Sequence, residues 1–412
     1  MICGLVGENV SQSYSKIIHN ALFPYEYRLH SVESDRFEEF LRRADFRGMN
    51  VTMPYKRRAA KFCDVLSDGA AATGCVNTIV REKDGTHRGY NTDIYGFLRM
   101  AKRAGISLRG KKVLILGGGG TSSTARYCAK AEGAGEIVVV ERSGDVTYSD
   151  LSKHADSEII INTTPVGMFP KNGEKLVSLS SFPKCRGVLD VVYNPIKSAL
   201  VLEAETRAVP TSGGLPMLVY QAKAAGELFL SEKCPDTAAE KALDLTVKKV
   251  MNIALIGMPG CGKSSVGRII AERLSRKFLD TDDIVEKIAG IAVPDIFQVM
   301  GETSFRDLES AAVFECGALS GRVIATGGGA ILKKENRAAL SQNSRIYFIN
   351  RDVEKLSLDG RPLSKDADAV KRLFNERINI YSSFSDVEIN GNGSADETAS
   401  RIIADFKANA GI

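Results

Sequence analysis

Two glycine-rich turns of unlike spacing constrain this chain more than any other feature. Leu116-Gly117-Gly118-Gly119-Gly120-Thr121-Ser122 and Gly257–Ser264 each follow a short β-branched run and precede a helical period. Both settings require a strand, a tight turn and a helix whose first N–H groups can face an anion. A single domain seldom builds two phosphate cradles of different spacing, so two nucleotide-binding domains are expected. The 412 residues leave room for two or three compact units. Strand candidates are Lys112–Leu116, Glu136–Val140, Glu158–Asn162 and Gly187–Val191, then Asn252–Ile256, Lys277–Asp280, Arg322–Ala325 and Arg345–Ile349. Their alternation with helical periods predicts an α/β chain with mainly parallel sheets. Ala239, Leu243, Thr246/Val247 and Val250 form one helical face, and a new strand begins directly afterwards without a Gly/Ser/Pro tract. A short, stiff junction near residue 250 follows.

Composition narrows the function classes. With 44% apolar and 25% charged residues the chain can bury ordinary cores. The net charge of +5 divides into +6 through Val250 (34 basic, 28 acidic residues) and −1 beyond it (21 against 22). Neither half carries a basic stripe or a block of five like charges, so no nucleic-acid partner is expected. The sequence has no apolar run long enough for a membrane span, and Met1–Gly7 lacks the basic start of a signal peptide. Eight scattered cysteines without a C-x-x-C pair suit a reducing cytosol, so a cytoplasmic location is expected. Only four histidines occur, none after His154, which leaves acid–base work beyond that point to Lys, Asp, Glu or Arg.

Gly257-Met-Pro-Gly260-Cys261-Gly262-Lys263-Ser264 is a complete G-x-x-x-x-G-K-S phosphate loop. Its glycines let backbone N–H groups converge on an anion, Lys263 reaches the β/γ-phosphates, and the Ser264 hydroxyl suits Mg²⁺. Ser265 continues the loop into its helix. The phosphoryl acceptor is not encoded in the loop. Phe278-Leu-Asp280-Thr-Asp282 is expected to set two carboxylates on one side of a strand end, one able to hold Mg²⁺ through water and one able to accept a hydroxyl proton. Taken singly, Arg306 and Arg377 read equally well as surface salt-bridge arginines, and Gly327-Gly328-Gly329 as the start of a helix. In their order after the loop, with Arg361-Pro-Leu, these residues resemble the shikimate kinases over Met251–Asn409. The resemblance implies ATP as co-substrate at Gly260, Cys261, Gly262, Lys263, Ser264, Ser265 and Arg361. It also implies shikimate at Asp282, Arg306, Gly328 and Arg377, with Asp282 and Lys263 catalytic and Ser264 and Asp280 on the Mg²⁺ side. One departure is visible: Leu356-Ser-Leu-Asp-Gly-Arg361 is short and lacks an arginine that many relatives place upstream, near adenine.

In the first half, Glu141-Arg142-Ser143 ends the strand after the glycine turn, 24 residues beyond Gly117. An acid there suits an unphosphorylated ribose and an arginine suits a 2′-phosphate. Seven blocks surround this unit: Ser11-Gln-Ser13-Tyr-Ser15, Asn50-Val-Thr52-Met-Pro-Tyr-Lys56, Gly74-Cys-Val-Asn77, Asn91-Thr-Asp93, Asn162–Met168, Asp190-Val191-Val-Tyr193-Asn-Pro195 and Gly213-Gly214 through Gln221. In this order they resemble the shikimate dehydrogenases across Met1–Lys249. The resemblance implies a substrate-binding α/β domain over 1–100 and a Rossmann-like NAD(P) domain over 101–250. A P-loop domain of nucleoside-monophosphate-kinase type would then occupy 251–412.

The implied chemistry is hydride transfer at C3 of the ring, with Lys56 as acid/base and Asp93 as its partner. Ser13 and Ser15 would hold the substrate carboxylate, Thr52, Asn77 and Gln221 the ring hydroxyls, Asp93 would also accept from a hydroxyl, and Tyr193 would be a further substrate-side contact. Gly117, Gly118, Gly119, Gly120, Thr121, Glu141, Arg142, Val191 and Gly214 would line the cofactor. Glu141 stands where the family usually has asparagine, and Ser143–Leu151 is too short for the helix expected there, so one sheet face should be thinly covered. NADP is expected, with NAD left open by Glu141.

These readings predict a bifunctional enzyme of aromatic amino-acid biosynthesis: reduction of 3-dehydroshikimate, then Mg-ATP-dependent phosphorylation of shikimate. Its partners would be those small molecules alone, and no sequence feature sets an oligomeric state or joins the two clefts, so shikimate is expected to pass through bulk solvent. Two alternatives stay open: an NAD-dependent quinate/shikimate dehydrogenase fused to the kinase, and a ligand-sensing regulator that has lost its chemistry.

Overall fold

A computed structural model of the protein describes residues 1–356 and 367–411. The chain forms two compact units, one of Met1–Met168 with Glu174–Thr246, the other of Phe169–Gly173 with Val247–Ile412. The boundary falls inside the helix Asp236–Val250, and only Met251 separates that helix from the next strand.

The first unit holds two sheets. One contains β1 (Ile2–Gly7), β2 (Glu26–Ser31), β3 (Gly48–Val51), β4 (Val65–Leu66), β5 (Thr78–Arg81) and β6 (His87–Tyr90), in the order β2-β1-β3-β5-β6-β4. Here β3–β5 and β5–β6 are antiparallel while β1–β2, β1–β3 and β4–β6 are parallel, so this sheet is mixed. The other contains β7 (Lys112–Leu116), β8 (Glu136–Val140), β9 (Ile159–Asn162), β10 (Gly187–Asp190) and β11 (Thr211–Ser212), all parallel, in the order β11-β10-β9-β7-β8. Val113, Leu114, Ile115 and Leu116 are each fully buried, as expected where helices and loops cover both faces of a parallel sheet. Phe97, Met100 and Ala125 pack on one face.

The opposite face differs from expectation. Between β8 and β9 stands only a 3₁₀ helix, Tyr148–His154, yet the face is not thinly covered. Val177, Leu179 and Phe182 from the long β9–β10 connection, with Leu200 and Ala204, close over Leu114, Val138 and Ile160. Burying each such side chain is worth roughly 1.5–3 kcal/mol, so an irregular segment replaces the missing helix.

The second unit is a five-stranded parallel sheet of β12 (Asn252–Ile256), β13 (Lys277–Asp280), β14 (Arg322–Ala325), β15 (Ser344–Asn350) and β16 (Val387–Asn390), ordered β13-β14-β12-β15-β16. In each parallel sheet the strand carrying the glycine-rich turn, β7 or β12, lies where the strand order reverses. That switch point leaves a crevice at the strands' carboxyl ends. The fold therefore aims both cradles into a crevice.

Candidate active sites

In the first unit, four helices bring their first turns or inner faces to one point. Lys56 opens the helix Lys56–Phe62, Asp93 opens Asp93–Arg103, and Thr121 is the second residue of Gly120–Ala131. Lys56 Nζ donates to Asp93 Oδ2 at 2.6 Å and to Thr121 Oγ1 at 3.3 Å. The pair is largely shielded, with side chains 15% and 8% exposed. Asp93 uses its other oxygen to accept from Asn77 Nδ2 at 2.8 Å, and Asn77 also donates to Gln221 Oε1 at 3.3 Å. Gln221 lies on the helix Leu215–Leu230, which approaches Asp93–Arg103 so closely that a Cβ on Gly96 would overlap the Met217 carbonyl. A residue that the motif reading passed over, Thr92, completes the network: its N–H donates to Asn77 Oδ1 at 2.7 Å and its hydroxyl to Gln221 Oε1 at 3.4 Å. Its place inside the Asn91-Thr-Asp93 block was the available signal.

A second group lies on the helix Ser15–Leu22 and its approach. Ser13 Oγ donates to Ser15 Oγ at 3.1 Å, and the Tyr193 phenol hydrogen-bonds Ser13. Burial raises the Tyr193 phenol's pKa, opposed by that bond. The Tyr14 and Tyr193 rings meet at 5.4 Å. Thr52 follows β3 and packs its methyl group against Gly7. His19, one turn beyond Ser15, is fully buried, stacks on Tyr27 at 3.9 Å and meets Tyr25 Oη at 2.6 Å, so its role is packing.

The cofactor candidates line the C-terminal end of β7. Gly117 has φ 107°, a left-handed conformation that favours glycine. The Glu141 carboxylate folds against Gly118, where any side chain would displace it, and Arg57 donates to the Gly118 carbonyl at 3.0 Å. Arg142 is exposed. A Cβ on Gly214 would overlap the Val191 carbonyl, so those two candidates touch. Gly119 caps the helix that Gly120 and Thr121 open. Asp190, at the end of β10, is fully buried; burial raises it to about 6 against the pull of hydrogen bonds from Ser198, Val192 N–H and Asn162. That network fixes the chain just ahead of Val191 and Tyr193.

In the second unit, Gly257, Gly260 and Gly262 all have positive φ, and Lys263 opens the helix Lys263–Arg273. Cys261 is buried beneath the loop, and Ser265 is exposed. Lys263 Nζ donates to the carbonyls of Gly257 (2.9 Å) and Met258 (3.0 Å). Ser264 Oγ donates to Asp280 Oδ2 at 2.6 Å. A hydroxyl and a carboxylate beside a phosphate loop are the hard oxygen donors that Mg²⁺ accepts, with waters and phosphates filling its remaining positions.

Asp282 departs from expectation. Asp280 ends β13 and caps the helix Thr281–Ala289, accepting from Asp282 N at 3.1 Å. Asp282 therefore sits on a helix's first turn, not on the strand beside Asp280. Its carboxyl is pushed up to about 6 by burial first, then by Asp280, with Lys263 opposing and Glu309 adding to the rise. The guanidiniums of Arg306 and Arg377, both under 10% exposed, meet at the triple glycine. Arg306 lies where any Gly329 side chain would go, and Arg377 Nη1 donates to the Gly328 carbonyl at 3.1 Å. Gly328 in turn packs on Pro259 of the phosphate loop. Three neighbours were missed in the sequence. Glu309 accepts from Arg306 at 2.8 Å, Tyr381 donates to the Gly328 carbonyl at 2.6 Å, and Thr281 Oγ1 accepts from Gly327 N at 2.9 Å. Only Glu309 had a signal, its i+3 spacing from Arg306. Arg361 lies outside the described residues.

All eight cysteines are free, and no described helix is long and apolar enough to cross a membrane.

Residues 5–79 match the shikimate dehydrogenase substrate-binding domain family, and residues 259–407 match the shikimate kinase family. The shikimate dehydrogenase (NADP(+)) of Clostridium perfringens SM101 is 35% identical over 259 residues, covering 58% of this chain and 95% of that protein. Its counterpart from Methanopyrus kandleri is 33% identical over 277 residues, covering 59% and 94%. Among solved structures, shikimate dehydrogenase 1 from Peptoclostridium difficile superposes with a TM-score of 0.56 at 31% identity, covering 59% of this chain and 96% of its own. A chorismate mutase/shikimate 5-dehydrogenase fusion from Clostridium acetobutylicum gives 0.56 at 29% identity, covering 59% and 96%. The Lys56–Asp93 network thus sits in the half matched by dehydrogenases, and the phosphate loop with its paired arginines in the half matched by kinases: the chain belongs to the shikimate dehydrogenase family, joined in one polypeptide to a shikimate kinase domain.

Proposed function

We propose that the first unit reduces 3-dehydroshikimate to shikimate with NADP and that the second phosphorylates the shikimate 3-hydroxyl with Mg-ATP. The observation that carries this reading is that one chain holds both constellations, Lys56 against Asp93 at 2.6 Å, and Asp282 near Lys263 and against Gly327 of the triple glycine where Arg306 and Arg377 also lie. When bound, the nicotinamide supplies the hydride at the ring carbon. Lys56 delivers the matching proton to the oxygen as it becomes an alkoxide, and Asp93, fixed by Asn77, holds the ammonium in line. Ser13, Ser15 and Tyr193 offer hydroxyls to the carboxylate, while Thr52, Asn77 and Gln221 face the ring hydroxyls.

In the second unit, Mg²⁺, when bound, screens phosphate charge, and Ser264 and Asp280 are the residues that would hold it. Arg306 and Arg377 pair with the substrate carboxylate. Asp282 accepts the 3-hydroxyl proton as that oxygen attacks the γ-phosphorus, and Lys263 meets the charge that develops on the phosphates. With its carboxyl raised to about 6, Asp282 is ionised at neutral pH and a better proton acceptor than an ordinary aspartate. Purified protein tested for NADPH oxidation with 3-dehydroshikimate, and separately for ADP release with shikimate, decides the matter. Absence of both activities would refute it.

One observation favours a second reading of cofactor choice. The Glu141 carboxylate rests on Gly118, where it would meet an adenosine ribose and disfavour a 2′-phosphate. Turnover of shikimate and quinate with NADP and with NAD separates NADP-dependent shikimate chemistry from the NAD-dependent alternative.

A further inference from the structure

The departure in the kinase half was a missing arginine upstream of Arg361. The structure places a different arginine at the phosphate loop. Arg351 directly follows β15, and its Nη1 lies 3.9 Å from the position a Cβ on Gly262 would take. Gly262 is the residue before Lys263, where the loop turns into its helix and phosphates converge. Arg351 Nε is buried with no hydrogen-bond partner among the described residues. A buried guanidinium N–H without an acceptor is costly unless a ligand supplies one.

The backbone around Arg351 is fixed while its head group is left open. The Asn350 carbonyl accepts from Gly391 N at 2.6 Å. On the other side Asp352 N donates to Asn392 Oδ1 at 2.9 Å, and Asn392 Nδ2 donates back to Asp352 Oδ1 at 2.8 Å. Gly391 packs closely against the end of β15, where a Cβ would overlap the Ile349 side chain and stand in van der Waals contact with Arg351 Cβ at 3.6 Å. An arginine clamped at its Cα, next to a phosphate loop and with an unmet donor, is pre-organised for an anionic oxygen.

We propose that Arg351 is a nucleotide-binding residue of the second unit, which donates to the α-phosphate of ATP or ADP. This rests on the kinase reading. Binding of ADP, AMP and adenosine to the full-length protein, measured by calorimetry for the wild type, Arg351→Gln and Arg351→Lys, tests it. The expected result is that Arg351→Gln weakens ADP and AMP alike by about 10–100-fold, the range of a lost charge-assisted hydrogen bond. Adenosine binding and KM for shikimate should stay unchanged, and Arg351→Lys should retain most of the affinity. ADP affinity within two-fold of wild type in Arg351→Gln would overturn the proposal, as would an equal loss for adenosine, which would put Arg351 on the base. Should Arg351→Gln fail to fold, the lysine variant still decides: it must bind ADP more weakly at high salt and leave adenosine untouched. Wild-type protein that binds ADP but releases none with shikimate would sink the kinase reading and leave the Arg351 assignment standing.

Discussion

Replacing Asp282 with asparagine should abolish phosphorylation and make the second unit more stable. The Asp282 carboxyl moves from 3.8 in the unfolded chain to about 6 in the folded protein, chiefly through burial and the neighbouring Asp280. A carboxyl whose folded pKa is raised disfavours the folded state once ionised. The cost is absent below the unfolded value, grows as pH climbs from about 4 to 6, and is complete above that. At about 1.4 kcal/mol per pH unit, a shift of this size amounts to roughly 3 kcal/mol at pH 7.5. Among the described residues no hydrogen bond reaches the Asp282 side-chain oxygens, so an amide loses none. Urea unfolding of the full-length protein, followed by a probe in the second unit, should show Asp282→Asn about 3 kcal/mol more stable at pH 7.5, with roughly half of that at pH 5 and almost nothing by about pH 3. ADP release should vanish while NADPH oxidation is untouched. A variant no more stable than wild type at pH 7.5, or one whose gain ignores pH, would refute the electrostatic argument.

Three further outcomes follow from the geometry. Lys56→Met should cut kcat for 3-dehydroshikimate reduction by about 10²–10⁴-fold with ADP release unchanged, as paired assays on one preparation would show. Glu141→Asn removes the carboxylate from Gly118 and should lower KM for NADPH by about ten-fold relative to NADH, since like charges in contact are repulsive. Steady-state kinetics with both cofactors check this. Gly329→Ala puts a methyl group where the Arg306 guanidinium lies, so KM for shikimate should rise by about ten-fold or more while KM for ATP changes little.

Most of the parallel strands were legible because they read as short apolar, β-branched runs, fully or almost fully buried in β7, β9, β10 and β12; β7, β8, β12, β13 and β14 occupy the ranges expected for them. The mixed sheet was not, because antiparallel pairing of β3, β5 and β6 is decided by connections with little periodicity. Asp282 was misplaced because the i, i+2 rule holds only inside a strand, and Asp280 is both the last strand residue and a helix cap. Coverage of the second sheet by Val177, Leu179 and Phe182 came from a segment without helical or strand pattern. The ring of groups around Asn77 and Gln221 joins residues 144 positions apart, a distance that motifs can suggest and only packing can close. Arg351 carried no signal, since its place depends on how the end of β15 meets the phosphate loop.

The two sites differ in how far they are assembled. Around Lys56, charge meets charge and each amide has a partner; the unmatched buried atoms of the first unit, such as His19 Nε2 and His87 Nε2, fall outside that network. In the second unit Arg306 Nε, Glu309 Oε1 and Arg351 Nε are all buried without partners among the described residues, and burial raises both the Asp282 and Glu309 carboxyls. These unmet groups gather around the phosphate loop and the triple glycine, where an anionic nucleotide and a carboxylate substrate would satisfy them. A site that must receive three ligands with several charges cannot neutralise itself first without losing the groups that bind them. The cost in stability and the capacity for catalysis are here the same atoms, which is why the asparagine at 282 is expected to gain one by giving up the other.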